Sequence, residues 1–289
     1  MTGRGTTDDG PTRGRTSRGG AGLTDRLLST HDGADLAYRV RSGRDPWVLL
    51  HGLGCDASMW DGVVEALPRE VGLVIPDLRG HGGSTLGWRI PSIDLWAEDV
   101  AAILDIEKLD RPAVAGLSMG GYAAMALAVL RPGRVRAWGF VSTQARADDE
   151  AGKRRRADGL TLLRCQGWRA FADGLVPLMF VPTRPDFAAQ RDRFLEMASR
   201  AGDVGFAATF YALANRTDRR EALAALRQPA VAVVGTDDRL TPPDRTQEIA
   251  AIVPGCRAVV LPGVGHMSAM ENPPGVADAL AGLARSGKD

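Results

Sequence analysis

The segment Gly116–Gly120, GLSMG, constrains the fold of this chain more than any other part of its sequence. A short apolar stretch, Pro112–Gly116, precedes it and predicts a strand, whereas an almost wholly apolar stretch, Met119–Leu130, follows it and predicts a helix. In a strand–turn–helix setting, the serine of G-x-S-x-G lies on a sharp corner with its hydroxyl exposed. Small residues on both sides let the two backbones approach, and the helix N-terminus favours nearby negative charge. The pattern therefore predicts that Ser118 is a nucleophile for acyl chemistry.

Length, charge and cysteine content narrow the class of protein. A chain of 289 residues is long enough for one domain with an elaboration. Its net charge of +1 provides no global field for nucleic acid or an anionic membrane, and no apolar run approaches the ~20 residues of a membrane span. Three scattered cysteines favour neither a disulfide framework nor a zinc site. We therefore expect a cytoplasmic protein without a nucleic-acid or membrane partner.

The first 22 residues differ in composition from the rest of the chain. They are rich in Gly, Thr and Arg and contain almost no apolar residues. The segment lacks the apolar stretch of a secretory signal, so we expect a disordered tail over residues 1–22.

After this tail, strand and helix patterns alternate. Leu23–Arg41 contains two β-rich stretches broken at Asp32 and Gly33, which predicts an antiparallel hairpin. Later strands are apolar without alternation, as expected when both faces of a parallel sheet are covered. The predicted strands are Trp47–Leu50, Gly72–Ile75, Ala113–Gly116, Val135–Ser142, Ala230–Val234 and Ala258–Leu261. The predicted helices are Ala57–Leu67, Ile93–Leu109, Met119–Leu130, Asp244–Ile252 and Pro273–Arg285. This order predicts an α/β fold with a mostly parallel central sheet flanked by helices.

Residues 144–217 interrupt the alternation. They contain no convincing strand, only helical periodicity broken by glycine and proline. A helical insertion between two strands is expected to form a cap over the carboxyl ends of the sheet, where ligands bind. We therefore predict core segments at 23–143 and 218–289 with a helical cap at 144–217; a passive surface bundle is the alternative.

The base that activates the serine is found by elimination, because the chain has four histidines. His31 lies in the predicted hairpin, away from the strand ends. His51 precedes a glycine at a strand end, and His81 lies in a glycine-rich loop, so both are predicted to be structural. His266 directly follows the last predicted strand and is the predicted base.

A carboxylate must orient this imidazole and stabilise its charged form. Asp237 and Asp238 follow the penultimate strand, and the chain order Ser, Asp, His is the one expected for this architecture. Consecutive side chains in a loop diverge, so only one aspartate is expected to reach His266. We predict Asp238, with Asp237 as the alternative in a turn-stabilising role.

Acyl transfer also requires two N–H donors for the oxyanion. Met119, immediately after the serine, is predicted to supply one. The glycine-rich turn after Leu50 is predicted to supply the other, from Leu53. Cys55, close by, has no adjacent base and is predicted to serve packing.

Taken together and in order, these motifs resemble the α/β-hydrolase superfamily, and most of all its carboxylesterase and 3-oxoadipate enol-lactonase branch. The resemblance covers the chain from Leu23 to the C-terminus and rests on residues 51–54 (HGLG), 77–82 (DLRGHG), 116–121 (GLSMGG), 235–238 (GTDD) and 265–273 (GHMSAMENP). It implies a nucleophile at Ser118, an acid at Asp238, a base at His266 and oxyanion donors at Leu53 and Met119. A serine at position 118 disfavours the members that use an aspartate nucleophile.

We therefore expect a serine hydrolase that cleaves a small carboxylic ester or lactone through an acyl-enzyme. The alternatives are an acyltransferase or carbon–carbon bond hydrolase with the same triad, or a non-hydrolytic cyclase or lyase of secondary metabolism. No cofactor and no metal are implied, and a homodimer is compatible with the sequence.

We expect aromatic side chains to line the substrate pocket, namely Trp60, Trp168, Phe180 and Phe210. The alternative is that Trp60 anchors its own helix and that the other three only pack the cap helices together. A carboxylated lactone would require pocket cations, for which Arg146, Arg164 and Arg169 are candidates in the cap. The run Arg154–Arg156 is predicted to be solvated surface charge.

Overall fold

A central sheet of nine strands organises the protein. The computed structural model describes residues 17–18 and 22–285. The strands are β1 (Ser17–Arg18), β2 (Thr24–Ser29), β3 (Asp35–Arg41), β4 (Arg44–Leu50), β5 (Val71–Pro76), β6 (Ala113–Leu117), β7 (Ala137–Val141), β8 (Ala230–Gly235) and β9 (Arg257–Leu261). Their order in the sheet is β1-β2-β3-β5-β4-β6-β7-β8-β9. Strands β4 to β9 pair in parallel and β1 to β3 are antiparallel, so the mostly parallel sheet is confirmed.

The predicted hairpin is also confirmed. Strands β2 and β3 pair from Thr24 with Val40 to Ser29 with Asp35. Of the predicted tail, the two residues of β1 pair with β2. The prediction of disorder is thus wrong at Ser17–Arg18, and residues 1–16 and 19–21 lie outside the described residues.

Nine α-helices follow the strands in the described part of the chain. They are α1 (Asp61–Ala66), α2 (Ile93–Ile106), α3 (Met119–Leu130), α4 (Glu150–Met179), α5 (Phe187–Ala214), α6 (Arg220–Ala224), α7 (Pro243–Ile252), α8 (Ser268–Glu271) and α9 (Pro273–Arg285). Helix α2 packs on α3, and α1 packs on α9, so that helices flank the sheet. The fold class predicted from the sequence is therefore confirmed.

Two predicted helices differ from the observed ones for local reasons. The predicted helix from Ala57 to Leu67 begins with a 3-10 turn, Ala57–Trp60, which is capped by the Asp56 carboxylate, 2.9 Å from Ser58 N. Helix α2 ends at Ile106, three residues before the predicted Leu109. Lys108 has a φ of 54°, which right-handed helix does not allow, so the chain must turn there.

Burial along the strands matches the apolar pattern, except at the edge of the sheet. Every residue of β6, β7 and β8 is buried. In β9 only Leu261 is buried, because this strand has a neighbour on one side alone. Apolar continuity therefore overestimated how well β9 is covered.

The two long helices α4 and α5 lie between β7 and β8 and pack against each other. Each contains one residue with non-helical backbone, Gly167 with a φ of 79° and Gly202 with a φ of 57°. A left-handed conformation is inexpensive only for glycine, so these two residues allow each helix to change direction. Both helices lie inside the segment 144–217 predicted to be a cap.

A buried ion-pair network connects the turn of the hairpin, the loop after β5 and α2. The Arg79 guanidinium lies 2.6 Å from Asp32 and 2.7 Å from Asp99, and its side chain is fully enclosed. Arg79 lies in the loop that contains His81. This loop is thus fixed by buried charge rather than by regular secondary structure.

Candidate active site

Ser118 occupies the corner between β6 and α3. Its φ of 53° and ψ of −112° are unusual for a residue with a side chain and mark local strain. A Cβ at Gly116 would overlap the backbone of Gly120, and a Cβ at Gly120 would overlap the carbonyl of Leu50. Glycine at these positions is therefore what lets strand and helix approach closely enough to form the corner.

His266 and Asp238 meet next to this corner. Both carboxylate oxygens of Asp238 lie near the His266 Nδ1, at 3.0 and 2.9 Å. Asp238 follows β8, and His266 lies in the loop after β9. Because β8 and β9 are adjacent parallel strands, their carboxyl ends bring the two loops together.

The surroundings of Asp238 favour its ionised form. Its Oδ1 accepts the backbone N–H groups of Leu240 at 2.9 Å and Thr241 at 2.8 Å, and Oδ2 accepts the Thr241 hydroxyl at 2.9 Å. Burial alone would raise the pKa of Asp238, but His266 and these donors hold it below its ordinary value. Asp237, the alternative acid, is exposed and accepts the Thr236 hydroxyl at 2.8 Å.

Ser118 and His266 line one cavity of about 250 Å³ beneath α4 and α5. With its Nδ1 engaged by Asp238, the imidazole has only Nε2 left to act on a group in this cavity. The predicted oxyanion donors, Leu53 and Met119, line the same cavity. Met119 is the first residue of α3, where a backbone N–H has no acceptor in a preceding helical turn. The cavity is therefore lined by four residues predicted from the sequence to take part in acyl chemistry: Ser118, His266, Leu53 and Met119. Asp238 lies outside the cavity lining and contacts the imidazole of His266.

The other histidines in the core are structural in their contacts. His51 Nε2 accepts the N–H of Leu78 at 2.8 Å, so its Nδ1 donates to the carbonyl of Gly52 at 2.9 Å. Burial lowers the pKa of His51, and it lowers that of His81 to about 3. The His51 ring is neutral, because its Nε2 accepts a hydrogen bond, and it connects the turn that contains Leu53 to the loop that begins near Leu78.

Of the four predicted pocket aromatics, Phe210 lines the cavity. Trp60 is fully enclosed in the core, and the ring of Phe180 packs 6.1 Å from that of Phe194. Trp168 follows the non-helical Gly167, and its backbone N–H donates to the Asp203 carboxylate at 2.6 Å. These three side chains do not line the cavity: Trp60 is buried just before α1, Trp168 follows the break in α4, and Phe180 comes directly after the end of α4.

The remaining cavity wall combines apolar cap residues with a few polar groups. The apolar residues contributed by the cap are Phe171, Leu175, Leu178, Met179 and Leu213. The polar ones not singled out from the sequence are Tyr122, Gln144, Asp148 and Thr241. Tyr122 and Thr241 each lie within about one helical turn of a predicted catalytic residue along the chain. This closeness in sequence is the signal from which their place in the cavity could have been predicted.

The cations of the cavity are not those expected from the sequence. Arg155 and Arg156 line it, although their run was predicted to be solvated surface. Arg146 instead pairs with Glu248 at 2.8 Å, Arg169 pairs with Asp173 at 2.9 Å, and neither lines the cavity, nor does Arg164. The first turns of α4 are thus directed towards the site.

One of these cations, Arg156, shares the carboxylate of Asp148 with Arg216. Asp148 lies 3.1 Å from Arg156 and 2.8 Å from Arg216, whose guanidinium stacks 4.3 Å above the Tyr122 ring. Arg155 has no ion pair within the described residues. This side of the cavity therefore has more positive than negative charge.

Two features are absent from residues 17–18 and 22–285. No three His, Cys, Asp or Glu side chains in those ranges are arranged to hold a metal ion. No helix in the same ranges combines the length and apolar character needed to cross a bilayer.

Comparison with known proteins shows the family. Residues 47–279 match the model of the alpha/beta hydrolase family. The chain is 30% identical over 260 residues to a predicted carbamate hydrolase, RutD, of Azorhizobium caulinodans, a match covering 86% of this chain and 95% of that protein. It is 26% identical over 270 residues to 3-oxoadipate enol-lactonase 1 of Acinetobacter baylyi, with 90% and 97% covered.

Solved structures agree with these sequence matches. An esterase of Thermogutta terrifontis superposes with a TM-score of 0.84 at 28% identity, covering 91% of this chain and 98% of that one. The enol-lactonase of Burkholderia xenovorans superposes with a TM-score of 0.79 at 28% identity, covering 89% and 99%. From its sequence, its sheet and the corner at Ser118, the chain belongs to the α/β-hydrolase family.

Proposed function

We propose that this protein is a carboxylic ester hydrolase that cleaves a small ester or lactone through an acyl-enzyme on Ser118. One arrangement carries the proposal: the strained corner bearing Ser118 shares a cavity with His266, whose Nδ1 is held by the buried Asp238. The activities named for similar proteins, esterase and enol-lactonase, are of the same class.

In the first half-reaction, the Ser118 Oγ attacks the carbonyl carbon while the His266 Nε2 takes the hydroxyl proton. The N–H groups of Leu53 and Met119 stabilise the oxyanion, and the N-terminus of α3 adds a favourable field. When the intermediate collapses, His266 returns the proton to the leaving alkoxide. Asp238 keeps the ring in the required tautomer and stabilises its charged form.

In the second half-reaction, water replaces the alcohol. His266 takes a proton from the water as its oxygen attacks the acyl carbon. Collapse of the second intermediate returns the proton to Ser118 and releases the acid. Every proton is therefore handled by one imidazole, and the cycle ends with the enzyme in its starting state.

The cavity also limits the substrate. Its volume of about 250 Å³ suits a small acyl group, and its cap side is mostly apolar. The cations Arg155 and Arg156 at this wall favour a substrate with an anionic group remote from the reacting carbonyl.

The test combines a covalent probe with a serine substitution. We expect a fluorophosphonate to label wild-type protein on Ser118, and Ser118→Ala to abolish labelling and lower p-nitrophenyl ester turnover by at least about 10³-fold. Ser199→Ala is the matched control, because this exposed cap hydroxyl only donates to the Glu196 carbonyl. Turnover that survives Ser118→Ala unchanged would refute the nucleophile, and ester formation that outpaces hydrolysis when a dilute alcohol is added would indicate an acyltransferase instead.

A further inference from the structure

Glu271 is a buried carboxylate that the proposed reaction does not use. It is the last residue of α8, in the segment that follows His266, and its side chain is 1% exposed. A carboxylate in such a position is costly unless its oxygens are paired, so its contacts require an explanation.

Each oxygen of Glu271 accepts one backbone N–H from a different part of the protein. Oε2 accepts the N–H of Gly265 at 2.5 Å, and Gly265 directly precedes His266. Oε1 accepts the N–H of Val181 at 2.8 Å, and Val181 lies just after the end of α4 in the cap. One side chain thus connects the loop that carries the base to the cap that covers the cavity.

Further contacts join the same two segments. Arg184, in the cap connection between α4 and α5, donates to the carbonyl of Glu271 at 2.8 Å and to that of Gly263 at 3.3 Å. The N–H of Met267 donates to the carbonyl of Met179 at 3.1 Å. The attachment of the cap connection to the histidine loop is therefore extensive, and Glu271 lies at its centre.

From these contacts we propose that Glu271 is a positioning residue, which sets the backbone of the His266 loop and couples it to the cap. The inference rests on the proposed function, since it assigns Glu271 a part in holding the base of that reaction. Glu271 does not contact the reacting atoms. It acts through the backbone of Gly265, which directly precedes His266 and so determines the position of the His266 side chain.

The chemistry of the two bonds explains why a carboxylate is present. Two N–H donors need two acceptor oxygens, and a glutamine offers only one, because its NH₂ group would face the second donor. Burial raises the pKa of the Glu271 carboxyl, while the two N–H groups and Arg184 oppose that shift. A carboxylate therefore satisfies both segments where a neutral amide could not.

The experiment is a double-mutant cycle of Glu271→Gln and Val181→Pro. Proline removes the cap-side N–H, and the φ of −120° and ψ of 156° of Phe180 are those of a residue before proline. We expect Glu271→Gln to lower kcat for a p-nitrophenyl ester, and the fluorophosphonate labelling rate, by about 10-fold or more with little change in KM. In the Val181→Pro background, the same substitution should cost less than about 3-fold, because the glutamine oxygen then serves Gly265 alone.

A merely structural role gives a different pattern. Equal losses in both backgrounds, or a lower melting temperature with unchanged kcat and labelling rate, would overturn the proposal. Asp99→Asn is the matched control, since it alters another buried carboxylate, which pairs with Arg79, and should lower stability without the kcat effect. If Glu271→Gln does not fold, the double variant is compared with Val181→Pro alone, where a loss of about 10-fold in kcat would overturn the proposal.

Two separate measurements distinguish a failure of the positioning role from a failure of the proposed function. If wild-type protein is not labelled at Ser118, the proposed function fails. The ¹H resonance of the His266 Nδ1 proton then tests the positioning role by itself, because it reports the hydrogen bond to Asp238. It should move in Glu271→Gln and return towards the wild-type position in the double variant; an unmoved resonance would overturn the inference.

Discussion

His266 Nδ1 lies 3.0 and 2.9 Å from the two carboxylate oxygens of Asp238, in a site from which solvent is almost excluded. The carboxylate is itself held by the N–H groups of Leu240 and Thr241. The orientation of the ring is therefore determined by a carboxylate that cannot easily rotate.

The first prediction concerns this pair. Asp238→Asn should lower kcat for a p-nitrophenyl ester by about 10⁴-fold, because an amide does not enforce the same tautomer or stabilise the charged ring. Asp237→Asn, its exposed neighbour, should remain close to wild type. Steady-state kinetics on both variants check the prediction, and comparable losses in the two would contradict the assignment of Asp238.

The second prediction concerns the corner at Ser118. Gly116→Ala should prevent folding to the native state, because its Cβ would overlap the Gly120 backbone, which has no room to move. Gly174→Ala is the control: the space around Gly174 in α4 is open, so alanine should stabilise the helix by up to about 1 kcal/mol. Urea unfolding and soluble yield measure both. A folded Gly116→Ala protein with normal activity would show that the close approach is not required.

The third prediction concerns stability and pH. Burial lowers the pKa of His81 from its ordinary 6.5 to about 3, so between these values the unfolded chain binds more protons than the folded one. The free energy of unfolding therefore rises with pH across this window, and the stability that it represents is lost as the pH falls.

Substituting His81→Gln should reduce the slope of unfolding free energy against pH by at most about 1.4 kcal/mol per pH unit. Urea unfolding at several pH values in this window measures the slope. Thr209→Val removes the hydroxyl 3.4 Å from His81 Nε2 without removing a titrating group, so it should alter stability but keep the slope. A slope unaffected by His81→Gln would mean that His81 does not stay neutral in the fold.

The fourth prediction concerns the cavity cations. Arg155→Gln should raise KM for the mono-p-nitrophenyl ester of a short dicarboxylic acid by roughly 3- to 10-fold, a modest effect because the side chain is exposed. The p-nitrophenyl ester of the matching monocarboxylic acid should be unaffected. Arg154→Gln, next in the chain but not lining the cavity, is the control. Equal changes with both esters would remove the anionic preference.

Much of the fold is predictable because its signals are local. The glycines around Ser118 and the apolar strands act over a few residues, so their pattern predicts the corner, the sheet and the order of the elements. The parallel arrangement then brings the loops after β8 and β9 together. For this reason Asp238 and His266 could be proposed before any distance was known.

The choice between adjacent aspartates already requires tertiary structure in part. Divergence of neighbouring side chains predicts that one faces His266, but it is the N–H groups of Leu240 and Thr241 that hold Asp238 inward. The role proposed for Glu271 depends on tertiary structure to a greater degree. Nothing in its local sequence indicates that its carboxylate reaches Val181, 90 residues away in the cap.

The sequence by itself determined the corner at Ser118, the succession of strands and helices, and which histidine and aspartate are candidates for base and acid, since each depends on short-range sterics or on the regular geometry of a parallel sheet. Only the tertiary structure decided which cap side chains face the cavity. Of these, Phe210, Arg155 and Arg156 reach it, whereas Trp168 and Phe180 do not, and Trp60, outside the cap, is buried in the core. The breaks at Gly167 and Gly202 change the direction of the cap helices. After such a break, the direction of a side chain depends on what the helix packs against. Helical periodicity in the sequence contains no information about that packing.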